Sequence, residues 1–259
     1  MRFSIITPTH KRREKLNKAV ESVKNQTYRD WEMIIVNDSP ADDSYRDFAS
    51  TINDPRISYH SNVTNKGVNY SRNLALDKLS SDSKWLIFLD DDDYLAPDAL
   101  QTFHDLIMQN PHHRWFVTNR AYQDGAPTTS FPKDNTYYSY AWSYLILKRC
   151  KGDATHCIET KLITSHNARF SRYIKQGEEW FFFYQIGIHS TMFYNDHNST
   201  ITDGYDITSG LNFRERSTEE RSKTFLKLLY EARQKHILLS PPLWCYFFLR
   251  FFLIFLKRN

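Results

Sequence analysis

The strongest constraint on this fold is an alternation of short apolar runs with helix-like segments across residues 1–110. The apolar runs are brief, β-prone and bounded by polar or turn-forming residues, as buried strands are. Between them, apolar side chains recur three and four residues apart, which predicts amphipathic helices. Strands that alternate with helices predict an α/β fold whose mostly parallel sheet is flanked by helices. The predicted strands are Phe3–Thr7, Trp31–Val36, Ile57–His60 and Trp85–Leu89.

Four adjacent carboxylates, Asp90–Asp93, follow the fourth predicted strand directly. Such charges repel one another, and a hard divalent cation with oxygen ligands, such as Mn²⁺ or Mg²⁺, neutralises them well. Ligands in open α/β sheets also gather at the carboxyl ends of strands. Alternate residues of an extended chain share a side, so Asp90 and Asp92 form the candidate metal pair. Asp91 and Asp93 are then expected on the other side.

Two alternatives to a metal site remain open for the acidic run. The carboxylates also fit a solvated cap on the helix that Pro97 opens. A calcium-binding loop requires a glycine where Leu95 stands, which weakens that alternative. The strand that leads into the carboxylates favours a metal site over both.

The alternation fails after residue 111, and the second half is harder to interpret. Glu178–Ile188 has the length of a helix, whereas the aromatic segment Thr136–Leu147 fits either a strand or a helix. The strand-like stretches are Trp115–Tyr122, His156–Ile158 and Thr191–Asn195.

The length of 259 residues suits one large domain with an appendage. We expect a main domain over residues 1–212, in halves 1–110 and 111–212, followed by a helical tail over residues 213–259. Three cysteines without a Cys-x-x-Cys pair argue against a disulfide framework and fit a reducing compartment. The first residues have too short an apolar core for a signal peptide, so we expect a cytoplasmic protein.

The tail is both basic and apolar. The net charge of the chain is +4, but residues 214–258 carry ten Lys or Arg against four Asp or Glu. The main body is therefore slightly acidic, which argues against binding to nucleic acid. The unbroken apolar run Leu243–Leu256 is shorter than the roughly 20 residues that a membrane span needs, and it contains Arg250. A helix lying on a membrane surface is predicted, with a core or oligomer helix as the alternative.

Four stretches of the first half together resemble the family 2 glycosyltransferases, which are inverting, use nucleotide sugars and have the Rossmann-like GT-A fold. They are similar to the family's opening strand and turn, its second-strand motif, its Gly-to-Arg helix start and its D-x-D motif with a following Asp. In chain order they are Ser4–Arg12, Ile34–Ser39, Asn65–Asn73 and Phe88–Asp93. In the second half, Gly177–Trp180 resembles the family's acidic motif.

The resemblance implies an enzyme that transfers a sugar from a nucleotide diphosphate sugar, with a UDP-sugar as the expected donor. A divalent cation, Mn²⁺ or Mg²⁺, is the expected cofactor. The acceptor would be a glycan or a lipid-linked glycan in bacterial surface polysaccharide or lipooligosaccharide synthesis. The basic, aromatic tail would hold the enzyme at the inner face of the cell membrane.

The resemblance also assigns residues to the donor. Asp38 would accept a hydrogen bond from a pyrimidine imide, and Arg72 would reach the base or the pyrophosphate. Thr7 and Pro8 would shape the base and ribose pocket, and Gly67 would permit close approach of the backbone. Turn capping, strand termination and a surface position on a helix are the ordinary roles of the same residues.

The remaining assignments concern the metal and the base. Asp90 would face the ribose and the metal, Asp91 belongs to the donor site, and Asp92 would bind the metal. Glu179 aligns with the family's catalytic base, which is usually Asp. Because Glu is one methylene longer, Glu178 stays open as the base, and both also suit a plain helix N-terminus.

Two histidines are further candidates. His197 follows a predicted strand, and His156 lies in the acceptor half. Each is a candidate to complete the metal shell or to contact an acceptor. A lone histidine is more often structural, which remains the alternative for each.

Two rival functions remain. A sugar-phosphate nucleotidyltransferase would need a glycine-rich loop after the first strand, where Thr7–His10 has no glycine. A non-catalytic membrane-surface adaptor on a transferase-like domain would not need the full set of acids.

Overall fold

The computed structural model of the chain describes residues 1–202, 217–237 and 240–255, with side chains up to residue 251. The predicted domain boundary between residues 212 and 213 and the end of the tail after residue 255 lie outside the described residues. The strands are β1 (Arg2–Thr9), β2 (Trp31–Asn37), β3 (Ile57–Ser61), β4 (Ser83–Phe88), β5 (Asp93–Leu95), β6 (Trp115–Tyr122), β7 (Thr136–Tyr138), β8 (Ala154–Glu159) and β9 (Met192–Thr202). The helices are α1 (Arg13–Lys24), α2 (Ser44–Thr51), α3 (Val68–Leu76), α4 (Ala99–Gln109), α5 (Thr160–Ser165), α6 (Trp180–Gly187), α7 (Thr218–Gln234) and α8 (Pro241–Phe255). A π-helical turn spans Tyr140–Ile146.

The nine strands form one mixed sheet in the order β3-β2-β1-β4-β8-β6-β9-β5, with β7 paired to β9. β1 to β4 are parallel, as predicted. β8 is antiparallel to both β4 and β6, and β5 and β7 are antiparallel to β9, which is parallel to β6. The α/β fold with a helix-flanked sheet is confirmed, but the sheet is mostly parallel only in the first half. Parallel neighbours need a crossover, which α1 to α3 provide between β1 and β4, whereas no described α-helix joins β6 to β8.

Alternate residues of the strands supply two apolar clusters, one on each face of the sheet. In β1, Ile5 belongs to one cluster and Ile6 to the other, and in β4 Ile87 and Leu86 divide in the same way. Helices α1, α2 and α4 cover the face that carries Ile5. Helices α3 and α5 to α8 cover the face that carries Ile6. Both faces of β1, β2 and β4 are thus mostly buried, which explains why these strands are largely apolar, whereas the edge strand β3 buries only Ile57.

The two C-terminal helices pack against this core, and the division of the chain into a main domain and a tail stays a prediction. Phe225 and Leu228 of α7 and Leu243 and Phe247 of α8 are each at most 7% exposed and pack in the Ile6 cluster. Part of the apolar surface of α8 that was expected from the sequence to contact lipid therefore contacts the protein core instead. In the described ranges, no helix has the length and apolarity to cross a membrane.

Candidate active site

The four carboxylates follow β4, where the chain turns back on itself. The Asp93 amide donates to the Asp90 carbonyl oxygen at 3.1 Å, which closes a turn through Asp91 and Asp92. Carboxylate oxygens of Asp90, Asp92 and Asp93 lie within 4.8 Å of one another, and we call these three residues the acidic cluster. The expectation that Asp93 lies on the side away from Asp90 is wrong, because the chain is not extended here.

Each member of the acidic cluster is bonded to a different arginine. The pairs are Arg72–Asp90 at 2.7 Å, Arg12–Asp92 at 2.7 Å and Arg120–Asp93 at 2.8 Å. The Arg72 and Arg120 side chains are only 7% and 14% exposed, so these are partly desolvated, charge-assisted hydrogen bonds. The three guanidinium groups offset the mutual repulsion of the carboxylates. Neither Arg12 nor Arg120 is among the site residues predicted from the sequence, although Arg12 ends the Ser4–Arg12 motif.

The acidic cluster suits a hard divalent cation. In the part of the chain that the structure describes, it is the one group of three or more acidic, His or Cys side chains close enough to share an ion. Burial raises the pKa of Asp93 to about 7, against the opposing effect of Arg120. A bound cation favours the charged form of such a carboxyl. Three carboxylate ligands of this kind fit Mg²⁺ or Mn²⁺.

Asp91 points away from the acidic cluster toward the end of β1. Its Oδ2 accepts hydrogen bonds from the Thr9 hydroxyl at 2.8 Å and the His10 amide at 3.3 Å. Its Oδ1 accepts one from Arg12 at 3.2 Å. Burial raises the pKa of Asp91 to about 6, and the Thr9 bond opposes that shift. Asp91 therefore fastens β1 to the acidic turn, and its assignment to the donor site stays a prediction.

Asp38 lies at the carboxyl end of β2 and holds the turn that precedes α3. Its Oδ1 accepts from the Asn62 side chain and the Lys66 amide, each at 2.7 Å, and its Oδ2 accepts from the Gly67 amide at 2.8 Å. Asp38 is 4% exposed. Gly67 has φ of 92°, and a Cβ there would lie 2.4 Å from the Lys175 carbonyl oxygen. The glycine is thus required both by its conformation and by close approach to the second half.

Thr7 and Pro8 are buried near the end of β1. The Thr7 hydroxyl has no hydrogen-bond partner and no exposure. Main-chain contact with a base or ribose at this strand end stays a prediction.

Glu178 and Glu179 differ sharply in their surroundings. The Glu179 side chain is 41% exposed and accepts from Arg72 at 3.1 Å. The Glu178 side chain is 7% exposed and accepts from Trp180 Nε1 at 2.5 Å and from Arg250 of α8 at 2.7 Å. Arg72 therefore connects Glu179 to Asp90, whereas Glu178 is hydrogen-bonded to Trp180 and to Arg250 of the C-terminal helix α8.

Asn69 is a further residue of the site that was not predicted from the sequence. Its side-chain amide donates to the carbonyl oxygens of Ile174 and Gly177, at 2.9 and 3.1 Å. Its backbone amide donates to the Lys175 carbonyl at 3.2 Å. The first turn of α3 therefore anchors the segment that leads to Glu178 and Glu179. The only sequence signal was its place inside the Asn65–Asn73 motif.

Neither histidine candidate belongs to the acidic cluster. The His197 nitrogens lie 3.1 Å from the Ser199 hydroxyl and 3.3 Å from an Asp98 oxygen. His156 accepts a hydrogen bond from Trp115 Nε1 at 3.1 Å and stacks on Phe183. Burial lowers the pKa of His156 to about 3, so it is neutral. A structural role therefore accounts for His156.

A sequence model of the family described as "Glycosyl transferase family 2" matches residues 4–173. The match covers well over half of the chain and includes all four donor-side motifs. The chain belongs to glycosyl transferase family 2. It is therefore a glycosyltransferase with the GT-A fold, as the resemblance implied. The match ends before Gly177–Trp180, so it does not test the assignment of Glu178 or Glu179.

Two bacterial relatives and one solved structure illustrate the similarity. WcaA of Escherichia coli (strain K12), a glycosyl transferase named for colanic acid biosynthesis, is 28% identical over 199 residues, covering 69% of this chain and 68% of WcaA. The GalNAc(5)-diNAcBac-PP-undecaprenol beta-1,3-glucosyltransferase of Campylobacter jejuni is 38% identical over 104 residues, covering 39% of this chain but 33% of that enzyme. TarS 1–349 of S. aureus, solved in complex with UDP, has a TM-score of 0.69 at 16% identity, covering 100% of this chain and 74% of that one.

Proposed function

We propose that this glycosyltransferase moves a sugar, with inversion, from a UDP-sugar to a glycan or lipid-linked acceptor in the synthesis of a bacterial surface polysaccharide or lipooligosaccharide. The observation that carries the proposal is the double contact of Arg72. Its two terminal nitrogens donate to Asp90, in the acidic cluster, and to Glu179, in the second half. A candidate donor-side acid and a candidate base thus lie on either side of one guanidinium group.

Glu179 is the better candidate for the base. A base must touch the acceptor hydroxyl, and the exposed Glu179 side chain is accessible where that of Glu178 is buried and bonded. The hydroxyl oxygen attacks the anomeric carbon on the face opposite the diphosphate. As the new C–O bond forms, Glu179 takes the hydroxyl proton and the bond from the anomeric carbon to the diphosphate oxygen breaks. One displacement on one face gives inversion.

Asp90, Asp92 and Asp93 would hold the cation, so Asp93 takes the place that the sequence suggested for His197. When bound, Mn²⁺ or Mg²⁺ acts as a Lewis acid for the departing nucleoside diphosphate. Arg72 and Arg12 lie beside the same carboxylates and are suited to pair with phosphate oxygens.

The choice of UDP rests on Asp38. Its Oδ2 accepts one hydrogen bond, from Gly67, and a carboxylate oxygen has room for a second donor such as a pyrimidine imide. Thr7 and Pro8 at the end of β1 would line the base and ribose, and Asp91 would keep this edge aligned with the acidic turn. The UDP complex of TarS, which has the same fold, is consistent with this choice.

A lipid-linked acceptor is supported by α8. Its outer face exposes four apolar side chains: Trp244, Phe248, Leu249 and Phe251, between 45% and 64% exposed. In sequence, Lys257 and Arg258 follow this helix, and basic residues beside aromatic ones suit an anionic membrane surface. The undecaprenol-linked substrate in the name of the Campylobacter relative is of the same class. We place the enzyme at the inner face of the cell membrane, where the free thiols of Cys150, Cys157 and Cys245 stay reduced.

The proposal is tested with purified full-length protein, Mn²⁺ and a panel of UDP-sugars. We expect release of UDP, and with an acceptor a product of inverted anomeric configuration by nuclear magnetic resonance. Glu179→Gln should lower the rate by about 10² to 10⁴, the range for a lost general base, with UDP binding retained. Retention of configuration, or a fully active Glu179→Gln variant, would contradict the proposal.

The same assay addresses the two rival functions. A nucleotidyltransferase would consume a sugar phosphate and a nucleoside triphosphate and release pyrophosphate. An adaptor would release no UDP. Membership of a glycosyltransferase family already argues against both.

A further inference from the structure

Glu178 is held by side chains from two distant parts of the chain. Its φ of 62° lies in the left-handed region, which residues other than glycine seldom adopt. Trp180 Nε1 and Arg250 Nη1 both donate to its Oε2, at 2.5 and 2.7 Å, and Arg250 Nη2 lies 3.4 Å from its Oε1. These charge-assisted contacts compensate for an unfavourable backbone conformation.

Arg250 is held in place by its own neighbours. It lies on the inner face of α8, one helical turn after the buried Phe247. Its guanidinium carbon is 5.5 Å from the ring centre of Tyr246 and 5.8 Å from that of Trp180. The Arg250 side chain is only 32% exposed, so most of its surface contacts Glu178 and the neighbouring rings rather than solvent.

The turn that contains Glu178 also carries the candidate base. On its other side, Asn69 donates to the Gly177 carbonyl at 3.1 Å. Gly177 and Glu178 are thus fixed from α3 and from α8, and the next residue, Glu179, projects to Arg72 at 3.1 Å. If the contact from α8 were lost, the left-handed Glu178 would be free to relax and to carry Glu179 away from Arg72.

We propose that Arg250 is a positioning residue for the transfer reaction: by binding Glu178, helix α8 fixes the turn that aims Glu179 at the acceptor hydroxyl. This inference rests on the proposed function, in which Glu179 is the base. It gives the C-terminal helix a part in the reaction itself, in addition to any contact with a membrane.

The kinetic test compares Arg250→Gln and Arg250→Lys with the wild type, using Mn²⁺, water as acceptor and the UDP-sugar that the panel shows to turn over fastest. Arg250→Gln should lower kcat about tenfold or more and leave KM for the donor within about twofold, since only the reacting geometry changes. Arg250→Lys, which keeps the charge without the forked geometry, should recover part of the rate. Arg233→Gln, an exposed position on α7, is the control and should match the wild type.

A second measurement is independent of activity. Hydrogen exchange of backbone amides in residues 177–183 should be at least about threefold faster in Arg250→Gln than in the wild type. Exchange in β1 to β4 should be unchanged. If residues 177–183 exchange at the wild-type rate in Arg250→Gln, α8 does not hold the turn and the proposal is wrong.

Glu178→Gln and Glu179→Gln complete the test. Glu178→Gln keeps the shape but loses the charge, so it should reproduce the kcat loss of Arg250→Gln, and the double variant should be no worse than either. Glu178→Gln also tests the proposal if Arg250→Gln does not fold, because a wild-type kcat in Glu178→Gln would then contradict the proposal. If Glu179→Gln is inactive while Arg250→Gln and Glu178→Gln keep the wild-type kcat, Glu179 is still the base and only the proposed role of Arg250 is wrong. If Glu179→Gln is active, the proposed function itself fails.

Discussion

Asp92 has the clearest single role in the acidic cluster. Its side chain is 28% exposed and is bonded to Arg12, so its carboxylate is available to a ligand at the surface of the site. Asp92→Asn keeps the shape and removes the charge that would hold a divalent cation. We expect Mn²⁺ to lose its effect on the melting temperature in the presence of UDP, with the melting temperature of the free protein nearly unchanged.

Asp98→Asn is the matched control for this substitution. Asp98 is close in sequence and 58% exposed, and it contacts His197, which lies outside the acidic cluster. Mn²⁺ with UDP should stabilise Asp98→Asn as much as the wild type. The reverse pattern, with Asp98→Asn insensitive and Asp92→Asn responsive, would move the metal to His197.

His156 leads to a prediction about pH. Its pKa is about 3 in the folded protein and near 6.5 when unfolded, so protonation favours the unfolded chain. The stability that depends on neutral His156 is therefore complete above about pH 6.5 and declines as the pH falls toward 3. In His156→Gln, whose carbonyl can still accept from Trp115, the loss of unfolding free energy between about pH 7.5 and about pH 5 should be smaller by roughly 1–2 kcal/mol.

Urea unfolding of both proteins at the two pH values measures that difference. The raised pKa values of Asp91 and Asp93 act in the opposite direction, but they are common to both proteins and cancel in the comparison. Equal pH dependence in the two proteins would mean that His156 is protonated in the fold.

At the scale of elements, the turn before α3 is where the donor half meets the base-carrying segment. Gly67 and Gly125 both have positive φ, of 92° and 85°, but only at Gly67 would a Cβ meet neighbouring atoms, the nearest at 2.4 Å. Alanine at either site adds backbone strain on the order of 1 kcal/mol. Gly67→Ala should also displace the Lys175 segment, and so lower the melting temperature and the turnover far more than Gly125→Ala.

Thermal unfolding and UDP release of the two alanine variants distinguish the effect of backbone strain from the effect of the lost close packing against Lys175. Gly125→Ala reports the strain alone, and the excess effect in Gly67→Ala reports the packing of the two halves. Equal effects in both variants would show that the contact with Lys175 contributes little.

The elements differ in how far the sequence predicts them. β1, β2 and β4 are predictable because each is a short, mostly apolar run bounded by turn signals, whereas β3, with Ser58 and His60, carries a weaker signal. Because the four strands are parallel, their carboxyl ends lie at one edge of the sheet, where ligand-binding residues are expected. The π-helical turn Tyr140–Ile146 is not predictable, since its aromatic residues suit several conformations and only packing against α6 and α8 selects one. The position of Asp93 is not predictable from strand alternation, because a local turn through Asp91–Asp92 replaces the extended conformation.

For the whole molecule, the contacts that complete the site join residues far apart in the chain. Arg72 and Glu179 are 107 positions apart, and Glu178 and Arg250 are 72 apart. Periodicity and composition cannot report such pairs, because they depend on how α3, α6 and α8 pack on the sheet. The residue types of the site were therefore predictable, whereas the arginine that binds each acid was not.

The packing of α8 also changes how membrane binding should be tested. Deleting residues 243–259 would remove the buried Leu243 and Phe247 together with Arg250, so it would damage the core and the turn at Glu178. Trp244 and Phe248, in contrast, are 55% and 64% exposed on the outer face. Replacing both with serine removes aromatic surface and leaves the inner face of the helix in place.

We expect the wild type to float with vesicles that contain anionic lipid, and less so at high salt, because each basic residue near the headgroups contributes about 1 kcal/mol. The Trp244→Ser/Phe248→Ser variant should float several-fold less and release UDP at the wild-type rate, since the burial of its two aromatic rings is lost but the site is intact. Val63→Ser/Met108→Ser, at positions 91% and 61% exposed elsewhere on the surface, is the control and should float like the wild type. If the wild type ignores anionic vesicles, or the α8 variant floats as well as the control, the outer face of α8 does not bind a membrane.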